Sequence, residues 1–262
     1  MADGAGPYPL FCCVDWQGLA ADLDDLREDL VSAVLVADPF GQYDEALLHD
    51  TFDLVVPFKQ HFIAETGRAP ASFVNARHRR HALRALRHLT VDVCADPRLL
   101  LGEWERLYAV LVARRGISST WRFSRDTMAH QLAIPGLVAF RACEGSRVVG
   151  LDLWYVQGEC AQGHVAAFDE RGYALRASYA TKWTMLEYFS ERVRYINLGG
   201  GQTSDASDGL AAFKRGWATG TRPAWLCGRI LQPKQYAALA HERMSAAEGY
   251  FPAYRATATR TG

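Results

Sequence analysis

A run of basic side chains stands out between residues 75 and 88. It holds five arginines and three histidines but no acidic residue. Such a positive stretch can bind phosphate groups. The run also has the spacing of a helix that packs Leu83, Leu86 and Leu89 against a core and leaves its arginines in water. The sequence leaves both interpretations open.

The short motifs of nucleotide and metal sites are missing. Glycines 199–201 follow a predicted strand, but the run lacks both the Gly-x-Gly-x-x-Gly spacing and the Gly-Lys-Ser/Thr ending. It therefore predicts neither a dinucleotide-binding turn nor a P-loop. The six cysteines contain no C-x-x-C pair, and no histidine lies at finger-like spacing. We expect no metal site, no disulfide framework and no tightly bound cofactor.

Length, composition and charge are those of a globular protein. The 262 residues, 49% of them hydrophobic, allow a sizeable core in one large domain or two small ones. No apolar run approaches the ~20 residues that span a bilayer, and the amino terminus does not look like a secretory signal, so we expect a cytoplasmic protein. Net charge is zero, but residues 1–50 hold eleven acids and one arginine. Nothing in the sequence indicates the oligomeric state.

Hydrophobic periodicity predicts a small strand and helix layer in the first 74 residues. We expect strands at 9–14 and 31–37, helices at 16–30 and 43–49, and an edge segment at 52–63 that carries Pro57. After the basic helix, the pattern over residues 90–231 is strand, helix, helix, three antiparallel strands, helix, strand, helix, strand. Asp96, Ser124 and Asp208 are predicted N-caps, and Arg176–Arg192 is predicted to be one long helix.

This order of elements resembles that of the GNAT superfamily of N-acyltransferases. The stretch Ile196-Asn-Leu-Gly-Gly-Gly201, followed by Asp208-Gly-Leu-Ala-Ala-Phe-Lys-Arg-Gly-Trp217, is similar to the carboxy-terminal signature of its FemAB-like branch. The resemblance implies an α/β fold with a mixed sheet, arranged as a three-layer α/β/α acyltransferase domain at 75–232. Residues 1–74 would then be an α/β layer, a reduced first GNAT-like half, and 233–262 a helical tail.

In the superfamily the acyl donor enters between the fourth and fifth core strands, which splay apart. The loop after the fourth strand usually holds the pyrophosphate of coenzyme A with backbone amides at a helix amino terminus. The corresponding residues here are 169–174, in which Gly172 and Ala174 fit but Asp169 and Glu170 repel phosphate. Turning Arg171 and Arg176 inward would offset that charge. An ordinary strand-to-helix turn is the alternative.

FemAB-like enzymes, by the same resemblance, take the acyl group from aminoacyl-tRNA. The lysine of their Phe-Lys element corresponds to Lys214, with Phe213 beside it. A fixed ammonium stabilises the oxyanion of the tetrahedral intermediate, which makes Lys214 a predicted catalytic residue. Candidates for contacts to tRNA phosphates are Arg77, Arg79, Arg80, Arg84 and Arg215. Candidates for donor binding are Phe213, Gly172, Tyr173, Arg176, Tyr179, Lys182, Asn197, Gly200 and Gln202, with Asp205 nearby.

The acceptor amine must lose a proton, for which His164 and Asp152 on neighbouring strands are the candidate bases. Lys59 and His61 are candidates for acceptor binding. The sequence thus predicts a bacterial-type enzyme that moves an activated acyl group to the amine of a small molecule or peptide. The favoured donor is aminoacyl-tRNA, engaged through its acceptor stem. The alternatives are an acetyl-CoA or other acyl-CoA donor, and a non-catalytic GNAT-like binding module.

Overall fold

The chain divides into two compact units. The computed structural model describes residues 2–7, 9–119, 122–201, 209–241 and 250–255. The terminal unit consists of residues 1–60 and 222–262, and the central unit consists of residues 61–221. The functional boundaries at 74 and 232 stay a prediction. The predicted cap Asp208 and the candidates Gln202 and Asp205 lie outside the described residues.

The terminal unit contains strands and helices in the order expected from its periodicity. Its elements are β1 (Ala2–Ala5), α1 (Leu19–Asp24), β2 (Leu30–Ala37), α2 (Glu45–Thr51), the first part of β3 (Leu54–Glu65), most of β9 (Gly220–Ile230) and α9 (Pro233–His241). The predicted strand at 9–14 is wrong. The strand that pairs parallel with β2 is β1, and of residues 9–14 only Phe11 makes a bridge, to Ala37. Pro7 and Pro9, which have no N–H to donate, separate the two pairings.

The sheet of the central unit has mixed strand directions. Its further strands are β4 (Thr90–Val93), β5 (Leu137–Glu144), β6 (Arg147–Gln157), β7 (Cys160–Phe168) and β8 (Tyr195–Asn197). In this unit the strand order is β3-β8-β7-β6-β5-β4, where β7 and β8 are parallel and the other pairs are antiparallel. The predicted antiparallel meander of β5, β6 and β7 is confirmed.

Helices cover both faces of this sheet. The elements are α3 (Ala76–Ala85), α4 (Leu101–Arg115), α5 (Arg125–Ala133), α6 (Glu170–Ala174), α7 (Ala177–Phe189) and α8 (Gly209–Arg215). Helices α3, α7 and α8 pack with Phe140 and Trp154 of the sheet, whereas α4 and α5 pack with Ala139 and Leu153. Because adjacent strand residues point to opposite faces, these are two different faces. The predicted three-layer α/β/α arrangement is confirmed.

Local capping follows the sequence at two helix starts. The Ser124 side chain accepts a hydrogen bond from the Thr127 N–H at the start of α5, and the Asp96 side chain accepts one from the Arg98 N–H at the start of the turn before α4.

The predicted single helix from Arg176 to Arg192 is wrong at its start. Arg176 has φ +59°, a left-handed conformation that separates α6 from α7. No helix within the described ranges has both the length and the apolar character needed to cross a membrane.

Candidate functional site

Strands β7 and β8 separate part-way along the sheet. They pair only where Cys160–Gln162 meets Tyr195–Asn197, and β7 then continues to Phe168 while β8 ends. Gly199, with φ +76°, turns the chain just after β8. Residues 163–168 of β7 therefore have no described strand paired on their β8 side, and we call this unpaired edge the β7–β8 opening. It lies where the resemblance predicted the donor.

Helix α8 brings Lys214 to the end of β8. The Lys214 Nζ donates a hydrogen bond to the Gly200 carbonyl oxygen at 2.7 Å. A Cβ atom on Gly199 would lie 3.1 Å from the same nitrogen, so the glycine turn lets the ammonium approach the backbone closely. Phe213 packs beside it, with its ring 5.1 Å from Tyr179 and 5.6 Å from His78. Lys214, predicted to be catalytic, therefore lies near α8 together with Phe213, Tyr179 and Gly200, which were predicted to bind the donor.

A buried polar row crosses β7, β8 and β3. Asn197 Nδ2 donates to Gln162 Oε1 at 2.7 Å, and Asn197 Oδ1 lies 3.2 Å from His61 Nδ1. All three side chains are buried, and Asn197 is only 1% exposed. The sequence predicted His61 and Asn197 but missed Gln162. Its signal was a second polar side chain, besides His164, within a strand of apolar and small residues, and the structure places it directly beside Asn197 in the parallel pairing.

Lys59 is the second predicted acceptor-binding residue. It belongs to the terminal unit, where its Nζ lies 5.1 Å from the centroid of the Phe58 ring. The role of Lys59 in acceptor binding stays a prediction.

His164 lies at an irregularity of β7 opposite Leu153 of β6. The β6–β7 register shifts between Asp152 and Trp154, so His164 and Val165 share the space of one residue. The imidazole lies 5.3 Å from the Tyr155 ring and 5.9 Å from Phe123, and both ring nitrogens are shielded from solvent. This burial lowers the pKa of His164 to about 4. His164 is therefore neutral near pH 7 and a weak proton acceptor.

Asp152, the second candidate base, is held in a buried ion pair. Its Oδ2 lies 2.6 Å from Lys182 Nζ, and their side chains are 2% and 12% exposed. The Lys182 ammonium also lies 4.6 Å from the centroid of the Trp154 ring. The pair joins β6 to α7 on the face of the sheet opposite His164. The structure thus places the two candidate bases on different faces.

The loop after β7 is a capped helix start. Asp169 accepts a hydrogen bond from the Gly172 N–H at 2.8 Å and pairs with Arg147 at 2.7 Å and Arg106 at 3.2 Å. Burial raises the pKa of Asp169, but the Gly172 hydrogen bond and the arginines outweigh it, so the pKa lies below its usual range. A Cβ atom on Gly172 would lie 2.2 Å from the Val149 carbonyl oxygen, so this glycine serves packing.

The two arginines that would offset the charge of this loop are engaged elsewhere. Arg171 forms an ion pair with Glu144, and Arg176 contacts His81 on α3. Tyr173 packs edge-on against Phe168 at 5.9 Å and lies under the Arg114 guanidinium. This geometry matches the alternative of an ordinary strand-to-helix turn.

The basic helix α3 presents its arginines to solvent. The exposed members are Arg77, Arg79, Arg80 and Arg84, together with Arg215 on α8. The expectation that Leu83 faces the core is wrong, since Leu83 is 48% exposed and the smaller Ala82 and Ala85 are buried in its place. A pocket of about 260 Å³ lies between the start of α3 and α8, lined by Phe73, Asn75, His78, Ala212, Arg215 and Gly216.

Comparison with known proteins places this fold. Neither a protein-family model nor a curated protein matches the sequence. Among solved structures, FemX matches with a TM-score of 0.63 at 14% identity, covering 86% of this chain and 80% of its own. The fold is FemAB-like. Among the described residues no three His, Cys, Asp or Glu side chains gather as metal ligands do.

Two further structures support the same fold. The C-terminal domain (DUF2156) of an Agrobacterium fabrum protein that carries the name lysylphosphatidylglycerol synthetase matches with a TM-score of 0.63 at 15% identity, covering 92% of this chain and 80% of that one. L-PGS from Bacillus licheniformis matches with a TM-score of 0.57 at 16% identity, covering 81% and 70%. The predicted mixed α/β fold and the FemAB-like resemblance are confirmed as a likeness in fold.

Proposed function

We propose that this protein is an N-acyltransferase that moves an aminoacyl group from aminoacyl-tRNA to the amine of a small molecule or peptide. The observation that carries the proposal is the Lys214 ammonium held at the Gly199–Gly200 turn, beside the β7–β8 opening. The likeness in fold to FemX supports the proposal, because the Phe-Lys element was identified by its similarity to the FemAB-like enzymes.

Lys214 acts on the charge that develops during aminolysis. The acceptor nitrogen attacks the ester carbonyl carbon, the C–N bond forms, and the carbonyl oxygen becomes an oxyanion. A preorganised ammonium near that oxygen stabilises the tetrahedral intermediate. Collapse of the intermediate breaks the C–O bond to the ribose, and the proton lost by the amine ends on the ribose oxygen. The products are an amide and a free tRNA.

The turn after β7 favours an aminoacyl-tRNA donor over coenzyme A. A pyrophosphate at a helix start is bound by free backbone N–H groups. Here the Gly172 N–H is already bonded to the Asp169 carboxylate, whose negative charge faces the same position. Binding a pyrophosphate there would require breaking this hydrogen bond and the ion pairs of Asp169 with Arg106 and Arg147.

The exposed arginines support a nucleic-acid partner. Arg77, Arg79, Arg80 and Arg84 lie on α3, and Arg215 lies on the neighbouring α8. Contacts of this type bind phosphates without reading sequence, which suits an enzyme that must engage a tRNA through its backbone. One of the similar structures carries the name lysylphosphatidylglycerol synthetase, and its product is a lipid that bears an aminoacyl group.

A hydroxylamine trapping assay tests the proposal without knowledge of the acceptor. The purified protein is incubated with hydroxylamine and either a pool of labelled aminoacyl-tRNA or acetyl-CoA, and hydroxamate is measured above the uncatalysed rate. We expect aminoacyl hydroxamate from the tRNA pool. Lys214→Ala should reduce its formation about 10²- to 10³-fold, as loss of an oxyanion donor does. Lys234→Ala, which removes an exposed lysine of α9, is the matched control.

Other outcomes assign the protein differently. Hydroxamate from acetyl-CoA alone would identify an acyl-CoA enzyme and refute the interpretation of Asp169. No hydroxamate from either donor, in a folded protein, would favour the non-catalytic binding module.

A further inference from the structure

The pocket between the start of α3 and α8, which we call the α3–α8 pocket, has the size of a small ligand. Its volume is about 260 Å³. Its lining residues are Phe73, Asn75, His78, Ala212, Arg215 and Gly216. Pockets for drug-sized molecules measure about 300–1,000 Å³. A pocket just below that range suits one small molecule or one unit of a chain molecule.

Two hydrogen bonds join the walls of the α3–α8 pocket. The Asn75 N–H donates to the Gly216 carbonyl oxygen at 2.9 Å. His78 Nε2 lies 3.1 Å from the Phe213 carbonyl oxygen, and because a carbonyl only accepts, Nε2 carries the hydrogen. A Cβ atom on Gly216 would lie 2.5 Å from the His78 ring, so this glycine lets the two helices approach closely. The walls are therefore fixed before a ligand arrives.

Two exposed arginines flank the pocket, one from each helix. Residues 75, 78 and 79 are spaced i, i+3 and i+4, so Arg79 shares the pocket side of α3. Arg215 lines the pocket from α8. Among the described residues, neither guanidinium has a carboxylate within ion-pair distance. Burial lowers the pKa of His78, which is neutral near pH 7, so the arginines supply the charge. A positive rim of this kind attracts an anion.

Phe73 and Asn75 add an aromatic ring and an amide. The Phe73 ring is partly buried against the core, with the Arg68 guanidinium 5.5 Å from its centroid. Asn75 Oδ1 accepts the Arg77 N–H, which identifies Nδ2 as the donor end of the side chain. Nucleobases pack on aromatic side chains and accept hydrogen bonds at ring nitrogens and carbonyl oxygens. Phosphates pair with arginine. One nucleotide has all of these complementary groups.

We propose that the α3–α8 pocket binds one nucleotide, whose base packs against Phe73 and whose phosphate lies between Arg79 and Arg215. The Asn75 amide N–H donates to the edge of the base. A free nucleoside monophosphate and an unpaired residue of an RNA present the same base and phosphate, and the experiment below distinguishes these two sources.

This site is separate from the one proposed for acyl transfer. Residues 212, 215 and 216 are spaced i, i+3 and i+4 and share one side of α8, whereas Lys214 lies on another side and bonds to Gly200. Binding of a nucleotide can therefore be measured without turnover, and the proposal does not depend on the acyl transfer.

Calorimetric titration with AMP and ribose 5-phosphate separates the base from the phosphate. These ligands differ only in the base, so AMP should bind about 5- to 150-fold more tightly, the effect of one base packed on an aromatic side chain. Phe73→Leu should bring the two dissociation constants close together. Arg215→Gln should weaken both ligands about tenfold, as loss of a hydrogen bond to a charged group does. Equal affinity of the wild type for both ligands would overturn the proposal.

Filling the pocket tests its location. Ala212 is exposed on α8 and lines the pocket, so Ala212→Leu narrows the space without removing a polar group. We expect AMP to bind at least about tenfold more weakly, because the ligand must displace the larger side chain. Ala109→Leu makes the same change at an exposed position of α4 and is the matched control. Thermal melting confirms that the variants are folded, and unchanged AMP affinity in folded Ala212→Leu counts against the proposal.

Two RNA hairpins identify the source of the nucleotide. One carries unpaired residues at its 3′ end, and the other has a blunt end. Tighter binding of the first, with displacement by AMP, assigns the pocket to an unpaired RNA end. Binding of AMP without this preference assigns it to a free nucleotide, and both results support the pocket. A protein that forms hydroxamate but binds neither AMP nor the unpaired end preferentially keeps the acyl transfer and loses this site. AMP binding without hydroxamate does the reverse.

Discussion

The buried ion pair between Asp152 and Lys182 gives the sharpest test of which polar groups are structural. Their charged atoms lie 2.6 Å apart, with side chains only 2% and 12% exposed. Removing one partner of such a pair leaves an uncompensated charge and costs about 3–5 kcal/mol, whereas replacing both with apolar residues of similar volume is nearly neutral or stabilising. We therefore expect Asp152→Leu and Lys182→Met to be strongly destabilising and the double variant to be close to wild type.

The magnitude is large enough to measure directly. At about 2–4 °C per kcal/mol for a protein of 150–250 residues, each single variant should melt roughly 6–20 °C below wild type, and the double variant within a few degrees of it. Urea unfolding provides the free energies for the double-mutant cycle.

Activity separates the two roles proposed for these residues. If the pair is structural, the double variant should form hydroxamate at a rate near that of wild type. Additive destabilisation in the cycle would refute the reasoning about the pair. A stable double variant without activity would instead return Asp152 to the catalytic candidates or Lys182 to the donor-binding candidates.

Three other predictions follow from the described contacts. Asp169→Asn keeps an acceptor for the Gly172 N–H but loses the ion pairs, whereas Asp169→Ala loses the helix cap as well. The melting temperature should therefore fall from wild type to Asp169→Asn and again to Asp169→Ala. The loss of the cap alone should lower the free energy of unfolding by about 1 kcal/mol. The pKa of His164, lowered to about 4 by burial, means that its contribution to stability is complete above pH 6.5 and is lost as the pH falls from 6.5 to 4. His164→Phe should flatten that part of the stability profile in urea unfolding, and an unchanged profile would contradict the burial argument. Replacing Arg79, Arg80 and Arg84 with Gln should weaken tRNA binding. It should also reduce the slope of log binding constant against log salt concentration by up to about 3. The control variant replaces the exposed Arg68, Arg115 and Arg192 with Gln instead.

Local patterns explain why so many elements could be predicted. The antiparallel meander of β5–β7 is made of apolar runs separated by the short turns at 145–146 and 158–159, and such hairpins connect neighbours in sequence. Ser124 and Asp96 bond to N–H groups two or three residues away, so their caps depend on the local chain alone. The errors were local too: of the predicted strand at 9–14 only Phe11 forms a bridge, and the left-handed Arg176 separates two helices where one was predicted.

The candidate site could be predicted only in part. The Phe213-Lys214 element carried its own signal through the resemblance, and α8 does bring Lys214 to the turn after β8. His61 and Asn197 were singled out separately, and nothing in their spacing linked them, because 136 positions separate them in the chain. Gln162 carried only the weak signal of one of two polar side chains in β7.

By itself, the sequence determined the order of strands and helices, the helix caps at Asp96 and Ser124, the solvent-facing arginines of α3 and the resemblance that marked Lys214. Each depends on residues close along the chain or on one contiguous motif. Only the tertiary structure decided that Asp169 binds the Gly172 N–H together with Arg106 and Arg147, that Asp152 is paired with Lys182, and that His61 and Asn197 form a hydrogen bond. These partners lie on different strands and helices, and sheet register and helix packing determine which polar groups meet inside the protein.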